Sequence, residues 1–250
     1  MSSSSPTPIT STALRDAPWT SEEERIRHAY ARRDNPSRYS WFNGAHLFGM
    51  QEIERGLLSV LRRHHALPLD ETRVLEVGCG TGVWLREFIK WGARPHNVYG
   101  IDLLDDRIAE ARRVCPREVT LECANAAQLR FSDGAFDLVW QSMLFSSVLD
   151  DRMRGRIAEE MLRVVSPAGL VVWYDYHVNN PRNRDVRRVT AAEIRRLFPD
   201  CFINLRRMTL VAPLARVVAA RSTALYRALH AIPLLRTHYL GVIRKRSASR

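Results

Sequence analysis

From residue 73 to residue 174, the spacing of apolar residues switches repeatedly between a pattern typical of strands and one typical of helices. Short runs of apolar residues predict strands, and the segments between them place an apolar residue every three or four positions, as on one face of a helix. The predicted strands are 73–77, 98–101, 119–122, 136–141 and 170–174. Strands that alternate with helices are typical of parallel βαβ units, so the pattern predicts an α/β fold with a doubly wound sheet and helices on both faces.

Both ends of the chain depart from this pattern. Residues 1–18 are rich in Ser, Thr and Pro, which predicts a disordered tail. Residues 19–70 predict two extra helices, the first opened by a capping box at Ser21–Glu24 and the second running from about His46 to His65. Later elements are predicted as a helix at 190–197, a strand at 202–211, a helix at 213–232 and a strand at 238–244.

The first core strand leads into a turn that reads Glu76-Val77-Gly78-Cys79-Gly80-Thr81-Gly82. Glycine tolerates positive φ and lets backbone approach a ligand closely, and the helix that follows presents unpaired N–H groups. The second strand ends at Asp102, whose carboxylate can accept hydrogen bonds from both hydroxyls of a ribose. The G-x-G-x-G spacing differs from the G-x-G-x-x-G of dinucleotide enzymes. The pattern therefore predicts a nucleoside site of another type.

These residues resemble the first two motifs of class I S-adenosylmethionine-dependent methyltransferases of the small-molecule type. The resemblance runs from about Thr72 to Tyr176. It implies a Rossmann-like, mostly parallel sheet whose last strand is antiparallel, with a helical insertion at about 212–236 between the final two strands. Residues 71–250 would then form the methyltransferase domain. The helices of residues 19–70 would either cover the ligands as a lid or simply pack onto the sheet.

The resemblance also implies S-adenosylmethionine as cofactor and assigns its contacts. The glycines would pass against its methionine and ribose portions, Asp102 would bind the ribose, and Asn125 would bind the adenine unless it only forms an Asx turn. Cys79 is interpreted as a small residue that fits the turn. The expected cofactor residues are Glu76, Gly78, Cys79, Gly80, Gly82, Asp102, Leu103, Asn125, Ala126 and Gln141.

Two candidate catalytic residues follow the fifth strand. His177 can act as a general base near neutral pH, and Asp175 can orient it or bind the acceptor, although both could belong to an ordinary turn. The methyl group is already activated on the cofactor, so the protein mainly aligns the reactants and excludes water. No metal site is predicted.

Composition narrows the class of protein. The 46% of hydrophobic and 26% of charged residues are ordinary for a soluble protein of 250 residues. No apolar run reaches the roughly 18 residues of a membrane span, and the N-terminus does not read as a signal peptide. The four cysteines lack C-x-x-C spacing, which predicts reduced thiols in the cytoplasm and neither a disulfide framework nor a zinc site.

The net charge of +11 is concentrated near the C-terminus, where residues 182–250 contain sixteen Lys and Arg against three acids. Such a segment predicts an anionic partner or a solvated basic face without one. We expect weak, salt-sensitive association with an anionic membrane surface. A nucleic-acid partner is disfavoured because aromatic residues that could stack on bases are sparse there.

The sequence thus predicts an S-adenosylmethionine-dependent methyltransferase that acts on a small-molecule or lipid-like acceptor, at oxygen rather than nitrogen. The preference for oxygen rests on the missing N-P-P-Y tetrapeptide, which Asn179-Asn180-Pro181 matches only loosely. The alternatives are an NAD(P)-dependent oxidoreductase, a nucleic-acid methyltransferase that uses the basic C-terminal third, and a binding protein that keeps the fold without turnover.

Overall fold

The computed structural model describes residues 19–32, 40–180 and 183–246. The strands are β1 Val74–Val77, β2 Val98–Asp102, β3 Thr120–Cys123, β4 Phe136–Ser142, β5 Val165–Tyr176, β6 Cys201–Leu210 and β7 Arg236–Lys245. The helices are α1 Thr20–Ala31, α2 Gly44–Arg63, α3 Val83–Lys90, α4 Asp105–Val114, α5 Asp151–Val164, α6 Ala191–Leu197, α7 Ala212–Ala219 and α8 Thr223–Ala231.

The strands form one sheet in the order β3-β2-β1-β4-β5-β7-β6. Strands β1 to β5 pair in parallel, and β7 is antiparallel to both β5 and β6. This confirms the predicted sheet with an antiparallel last strand. The strand order reverses between β1 and β4, and ligands of open α/β sheets bind at the carboxyl ends of the strands beside such a reversal.

The two faces of the sheet are covered by different helices. One face packs against α5 and α6, with Met153, Ile157 and Ile194 in its core, and the other packs against α2, α3 and α4. All four residues of β1 are buried, as expected for a parallel strand covered on both sides. Helices therefore lie on both faces, as predicted. Among the described helices, none is long and apolar enough to cross a bilayer.

Three local predictions are wrong. The capping box does not form, because α1 begins at Thr20 after Trp19 and has no side-chain cap. The expected helix at 213–232 is two helices, because the Ser222 hydroxyl caps α8 by accepting a hydrogen bond from the Leu225 N–H. Strand β5, predicted at 170–174, begins five residues earlier, at Val165. The predicted tail 1–18, Tyr39 and Pro181 lie outside the described residues.

Candidate functional site

The glycine turn after β1 is held by hydrogen bonds to β2. The backbone N–H groups of Gly78 and Cys79 both donate to the carbonyl of Ile101 at 2.8 Å, and the Gly80 N–H donates to Asp102 Oδ2 at 2.8 Å. Gly78 and Gly80 have φ values of +78° and +52°. A side chain is disfavoured in this left-handed region, so these positions require glycine and keep the turn open to a ligand.

The Asp102 carboxylate lies at the carboxyl end of β2. Its Oδ1 accepts from the Leu104 N–H at 2.9 Å, and its Oδ2 accepts from Gly80. Burial raises the pKa of this carboxyl above its ordinary value. Each carboxylate oxygen can accept a second hydrogen bond. Asp102 is therefore anchored in one orientation and can still bind two ligand hydroxyls.

Glu76 is a second carboxyl behind the same turn. Its side chain is buried, and burial together with the nearby Asp102 raises its pKa well above the ordinary value. Its Oε2 atom has no hydrogen-bond partner among the described residues. An unsatisfied buried acceptor is rare and needs an explanation. A ligand or water at the turn would satisfy it, so Glu76 fits the expected cofactor.

A cleft of about 580 Å³, including space open to solvent, lies at this edge of the sheet. The cleft brings together five of the expected residues: Gly78, Asp102, Leu103, Asn125 and Ala126. Its other walls include Ile26 and Tyr30 of α1, Ser142 to Leu144 after β4, Ser147 and Val148, and Met153 and Ile157 of α5.

Five other expected residues do not line the cleft: Glu76, Cys79, Gly80, Gly82 and Gln141. Burial raises the pKa of the Cys79 thiol, so this residue stays protonated. The Gln141 side chain accepts from the Leu144 N–H at 3.2 Å and donates to the Tyr174 carbonyl at 3.4 Å. A Cβ at Gly82 would lie 2.7 Å from Cys115 Sγ. Cys79, Gln141 and Gly82 thus support the turns that line the cleft.

Asn125 lines the cleft and also forms an Asx turn. Its Oδ1 accepts from the Ala127 N–H at 2.8 Å, and its Nδ2 donates to Glu23 of α1. The amide oxygen keeps a second lone pair that could accept a further hydrogen bond. The two interpretations of Asn125 are therefore compatible.

Helix α1 covers the cleft and is fastened to the segment after β4. Arg25 donates to the Ser147 carbonyl at 2.5 Å, and the Tyr30 hydroxyl lies 3.2 Å from Ser147 Oγ. The buried Glu22 carboxylate accepts from the Leu149 N–H at 2.5 Å and pairs with Arg25. Sequence reasoning considered Tyr30 as part of a lid but assigned no role to Glu22 or Arg25, because nothing in their spacing marks them.

The expected pair of Asp175 and His177 is not assembled. Asp175 is fully buried and accepts from the N–H groups of Ser146 at 3.0 Å and Tyr176 at 2.8 Å. Burial raises the pKa of Asp175 to about 6. Neither residue lines the cleft, and within the described residues no hydrogen bond joins them. Asp175 instead supports the turn at residues 145–147.

The His177 imidazole lies beside the start of β7. Its Nε2 is 3.0 Å from the carbonyl oxygen of Arg236, and its ring stacks on Tyr239 with centroids 4.4 Å apart. Burial and then Arg207 lower the pKa of His177 below its ordinary value. The imidazole is therefore neutral at neutral pH and can accept a proton.

A stack of aromatic rings lies across β5 and β7 on the face covered by α2. The His238 ring lies between those of Tyr174 and Tyr176, at centroid distances of 4.8 Å and 4.1 Å. The Tyr174 hydroxyl is 2.8 Å from Thr209 Oγ1. Burial lowers the pKa of His238 to about 3, so the stacked imidazole is neutral. Sequence reasoning missed this stack, because its members come from two strands far apart in the chain.

Residues 74–169 match a family described as methyltransferase domain. The chain is 36% identical over 114 residues to 2-methyl-6-phytyl-1,4-hydroquinone methyltransferase of Synechocystis sp., which covers 44% of this chain and 34% of that protein. It is 27% identical over 177 residues to a sterol 24-C-methyltransferase of Aspergillus fumigatus, with 64% and 46% covered. The chain thus spans between a third and a half of the length of these relatives.

The fold is also similar to that of a solved structure over nearly its whole length. That structure is 1,6-didemethyltoxoflavin-N1-methyltransferase of Burkholderia thailandensis with bound 1,6-didemethyltoxoflavin and S-adenosylhomocysteine. The TM-score is 0.60 at 16% identity, and the match covers 97% of this chain and 94% of that one. At this identity the likeness shows the fold.

Proposed function

We propose that this chain, which contains a class I S-adenosylmethionine-dependent methyltransferase domain, moves a methyl group from that cofactor to a small-molecule or lipid-like acceptor. The observation that carries the proposal is the anchored Asp102 carboxylate, which lines a cleft beside the open glycine turn. S-adenosylmethionine is the cofactor of this domain, and when bound it supplies a methyl group activated on a sulfonium.

In this proposal, different residues contact different parts of the cofactor. Asp102 accepts hydrogen bonds from the ribose hydroxyls, and the backbone at Gly78 lies against the methionine portion. Leu103, Asn125 and Ala126 surround the adenine, since they line the cleft next to the end of β2. Glu76 satisfies its free oxygen through a cofactor polar group or a bridging water.

Helix α1 closes the cleft over the reactants. Its contacts with Ser147 and Leu149 place Ile26 and Tyr30 against the ligand space. Excluding water and fixing the distance between acceptor and methyl are the main contributions a protein makes to such a displacement. In this proposal α1 is a lid.

The acceptor is proposed to be apolar and to react at oxygen. Much of the cleft wall is apolar, with Ile26, Leu144 and Met153 among its members. Two relatives are named for a phytyl hydroquinone and for a sterol, which are lipid-like molecules. A hydroxyl acceptor needs a base as it attacks. His177 is the proposed base because it is neutral and follows β5, the neighbour of β4, and since it lies outside the cleft, the acceptor has to extend from the cleft to the end of β5.

The proposal includes a cytoplasmic location. All four cysteines are free, and the Sγ atoms of Cys79 and Cys115 are buried within the core. Reduced thiols of this kind are typical of cytoplasmic proteins.

The proposal is tested by incubating the protein with methyl-labelled S-adenosylmethionine and a panel of acceptors. The panel contains a prenylated hydroquinone, a sterol, a long-chain hydroxy compound, duplex DNA and transfer RNA. We expect label in an apolar acceptor and a strong decrease for Asp102→Ala. Label only in nucleic acid would favour the alternative methyltransferase, and no label in any acceptor with intact cofactor binding would favour a binding protein.

A further inference from the structure

The insertion between β6 and β7 exposes apolar side chains that the other described residues leave uncovered. Its helices α7 and α8 attach through Ala215, Val218 and Tyr226, and the Tyr226 ring stacks on Phe48 of α2 at 4.7 Å. Large apolar side chains on the outside are exposed instead: Val217, Leu225, Ile232 and Leu234, the last of them at 84%. Aliphatic side chains this exposed are costly in water unless something covers them.

A second segment extends this surface. Trp41 and Phe42 precede α2 and are exposed at 54% and 101%. A Cβ placed on Gly44 would lie 3.5 Å from Ala219, so the start of α2 touches the end of α7. The two aromatic residues therefore border the insertion. We call this combined area the insertion surface, formed by Trp41, Phe42, Val217, Leu225, Ile232 and Leu234 with the exposed Arg216, Arg221 and Arg227.

The charge of the insertion surface has one sign. Its three arginines are exposed, and no Asp or Glu follows Asp200 in the sequence. Exposed aromatic and aliphatic side chains among cations are the composition of protein surfaces that lie in the interface of a membrane. There the apolar groups leave water while the guanidinium groups stay among lipid phosphates. A nucleic acid would satisfy the arginines and leave Val217 and Leu234 uncovered.

The insertion surface and the cleft lie at the same edge of the sheet. Leu210 at the end of β6 pairs with Arg236 at the start of β7, and His238 pairs with Tyr176 at the carboxyl end of β5. The chain between β6 and β7 therefore emerges at the carboxyl edge, where Gly78 and Asp102 line the cleft. A flat partner seated on the insertion surface would meet the protein at the edge where the cleft opens.

We infer that the insertion surface docks on an anionic lipid bilayer. Phe42 and Leu234 enter the boundary between headgroups and acyl chains, and Arg216, Arg221 and Arg227 bind lipid phosphates. The docking itself is independent of methyl transfer, whereas its use to reach a lipid-like acceptor rests on the proposed function.

Flotation with lipid vesicles tests the inference without cofactor or acceptor. Wild-type protein is expected to bind vesicles of phosphatidylcholine and phosphatidylglycerol at low ionic strength, to be released by salt, and to bind pure phosphatidylcholine far less. The double variant Arg221→Gln/Arg227→Gln should partition roughly 25-fold less, since each Arg near an anionic surface contributes about fivefold. The matched control is Arg117→Gln/Arg130→Gln, which removes two exposed arginines outside the insertion surface.

The apolar part has its own pair of variants. Phe42→Asp/Leu234→Asp should abolish binding, and Phe202→Asp, at the start of β6 on the opposite edge of the sheet, should leave it unchanged. Circular dichroism of each variant checks that it is folded. Absence of wild-type binding to anionic vesicles at low salt, equal losses in the controls, or displacement from vesicles by a DNA duplex would each overturn the inference.

Methyl transfer to a dispersed acceptor is measured on the same variants and is expected to be unchanged. Vesicle binding by a protein that transfers no methyl group would refute the proposed function and leave the docking intact. Methyl transfer by a protein that never binds vesicles would refute the docking and leave the proposed function intact.

Discussion

The carboxyl edge of the sheet has two halves that are built differently. In the cofactor half, formed by the ends of β1 to β4, the turn is shaped by backbone hydrogen bonds, such as those from Gly78 and Cys79 to Ile101. We call the other half, formed by β5 to β7 with α7 and α8, the acceptor half because it holds His177, the proposed base. There the groups in place are side chains, such as the stacked rings of Tyr174 and His238.

The difference accounts for where the match to the family ends. The family match covers residues 74–169 and therefore ends at the start of β5. A site made by backbone geometry needs a few glycines and one carboxylate at set spacing, and that spacing is visible in a sequence. A site made by packed side chains can be built from different residues in different proteins, so no fixed spacing marks it in a sequence. The predictions below test this division, from the largest expected effect to the smallest.

Gly80→Val should remove cofactor binding in the cofactor half. Strain at a left-handed position costs on the order of 1–3 kcal/mol, and relief of that strain would move the Gly80 backbone, whose N–H donates to Asp102, away from the cofactor. We therefore expect affinity for S-adenosylmethionine to fall at least about a hundredfold. Calorimetry measures it, with Gly49→Val as control, since a Cβ at Gly49 meets nothing within 4 Å. Normal affinity in a folded Gly80→Val protein would make the turn purely structural.

His177→Ala should change turnover and not cofactor affinity, the reverse of what we expect for Gly80→Val, because His177 lies in the acceptor half. If His177 is the base, turnover falls at least about a hundredfold while cofactor affinity stays the same, and the dependence of turnover on pH changes shape. Steady-state kinetics across pH measures both, with the exposed His96→Ala as matched control. A variant that keeps its turnover and pH profile would show that the acceptor needs no base or that another group supplies it.

Glu52→Gln probes a buried carboxyl of α2 that packs against the insertion. His230 Nε2 lies 3.2 Å from its Oε1, and burial raises the pKa of Glu52 from 4.5 to about 7. Because the Glu52 carboxyl holds its proton more tightly in the folded state, it stabilises that state fully at pH values below its pKa in the unfolded chain. This contribution disappears as the pH rises through about 7.

The wild-type free energy of unfolding should therefore fall relative to that of Glu52→Gln by up to about 3 kcal/mol over this range. Urea unfolding at a series of pH values measures the difference, and the exposed Glu118→Gln serves as control. Burial also lowers the pKa of His230, which contacts Glu52, so the difference between the two proteins reports the coupled titration of this pair. Parallel stability curves would mean that Glu52 ionises normally in the folded state.

Asp102→Ala should have a smaller effect on the cofactor half than Gly80→Val, because the variant loses the hydrogen bond from Gly80 but keeps those from Gly78 and Cys79 to Ile101 and adds no strain to the turn. Each hydrogen bond to a charged group is worth about 1.5–3 kcal/mol, so affinity should fall about tenfold or more. Asp106→Ala removes the same charge from an exposed position four residues on and should keep the affinity near that of the wild type. If both variants bound equally well, Asp102 would not be a ribose ligand.

The sequence was sufficient for the order of strands and helices and for the glycine turn. The strand pattern and the positions of Gly78 and Asp102 depend on local patterns that the chain displays directly, whereas the antiparallel last strand was predicted from the family resemblance. The helix at 213–232 was predicted wrongly because apolar periodicity continues across Ser222, whose capping hydrogen bond interrupts it.

The acceptor half and the lid were less predictable because their contacts join distant segments. Asp175 could not be separated from a catalytic role until its hydrogen bonds to Ser146 and Tyr176 were seen. Glu22 and Arg25 read as surface charges of a helix, yet they fasten α1 to residues 147–149 across more than a hundred positions. Such pairings are set by tertiary packing, which no local spacing records.

Calorimetric titration of the wild-type protein with S-adenosylhomocysteine, and separately with NADH and NADPH, tests the central claim most directly. The anchored Asp102 and the G-x-G-x-G turn predict saturable binding of S-adenosylhomocysteine to one site per chain and no measurable heat from either dinucleotide. Tight binding of NADH or NADPH with none of S-adenosylhomocysteine would contradict the account and assign the cleft to an oxidoreductase.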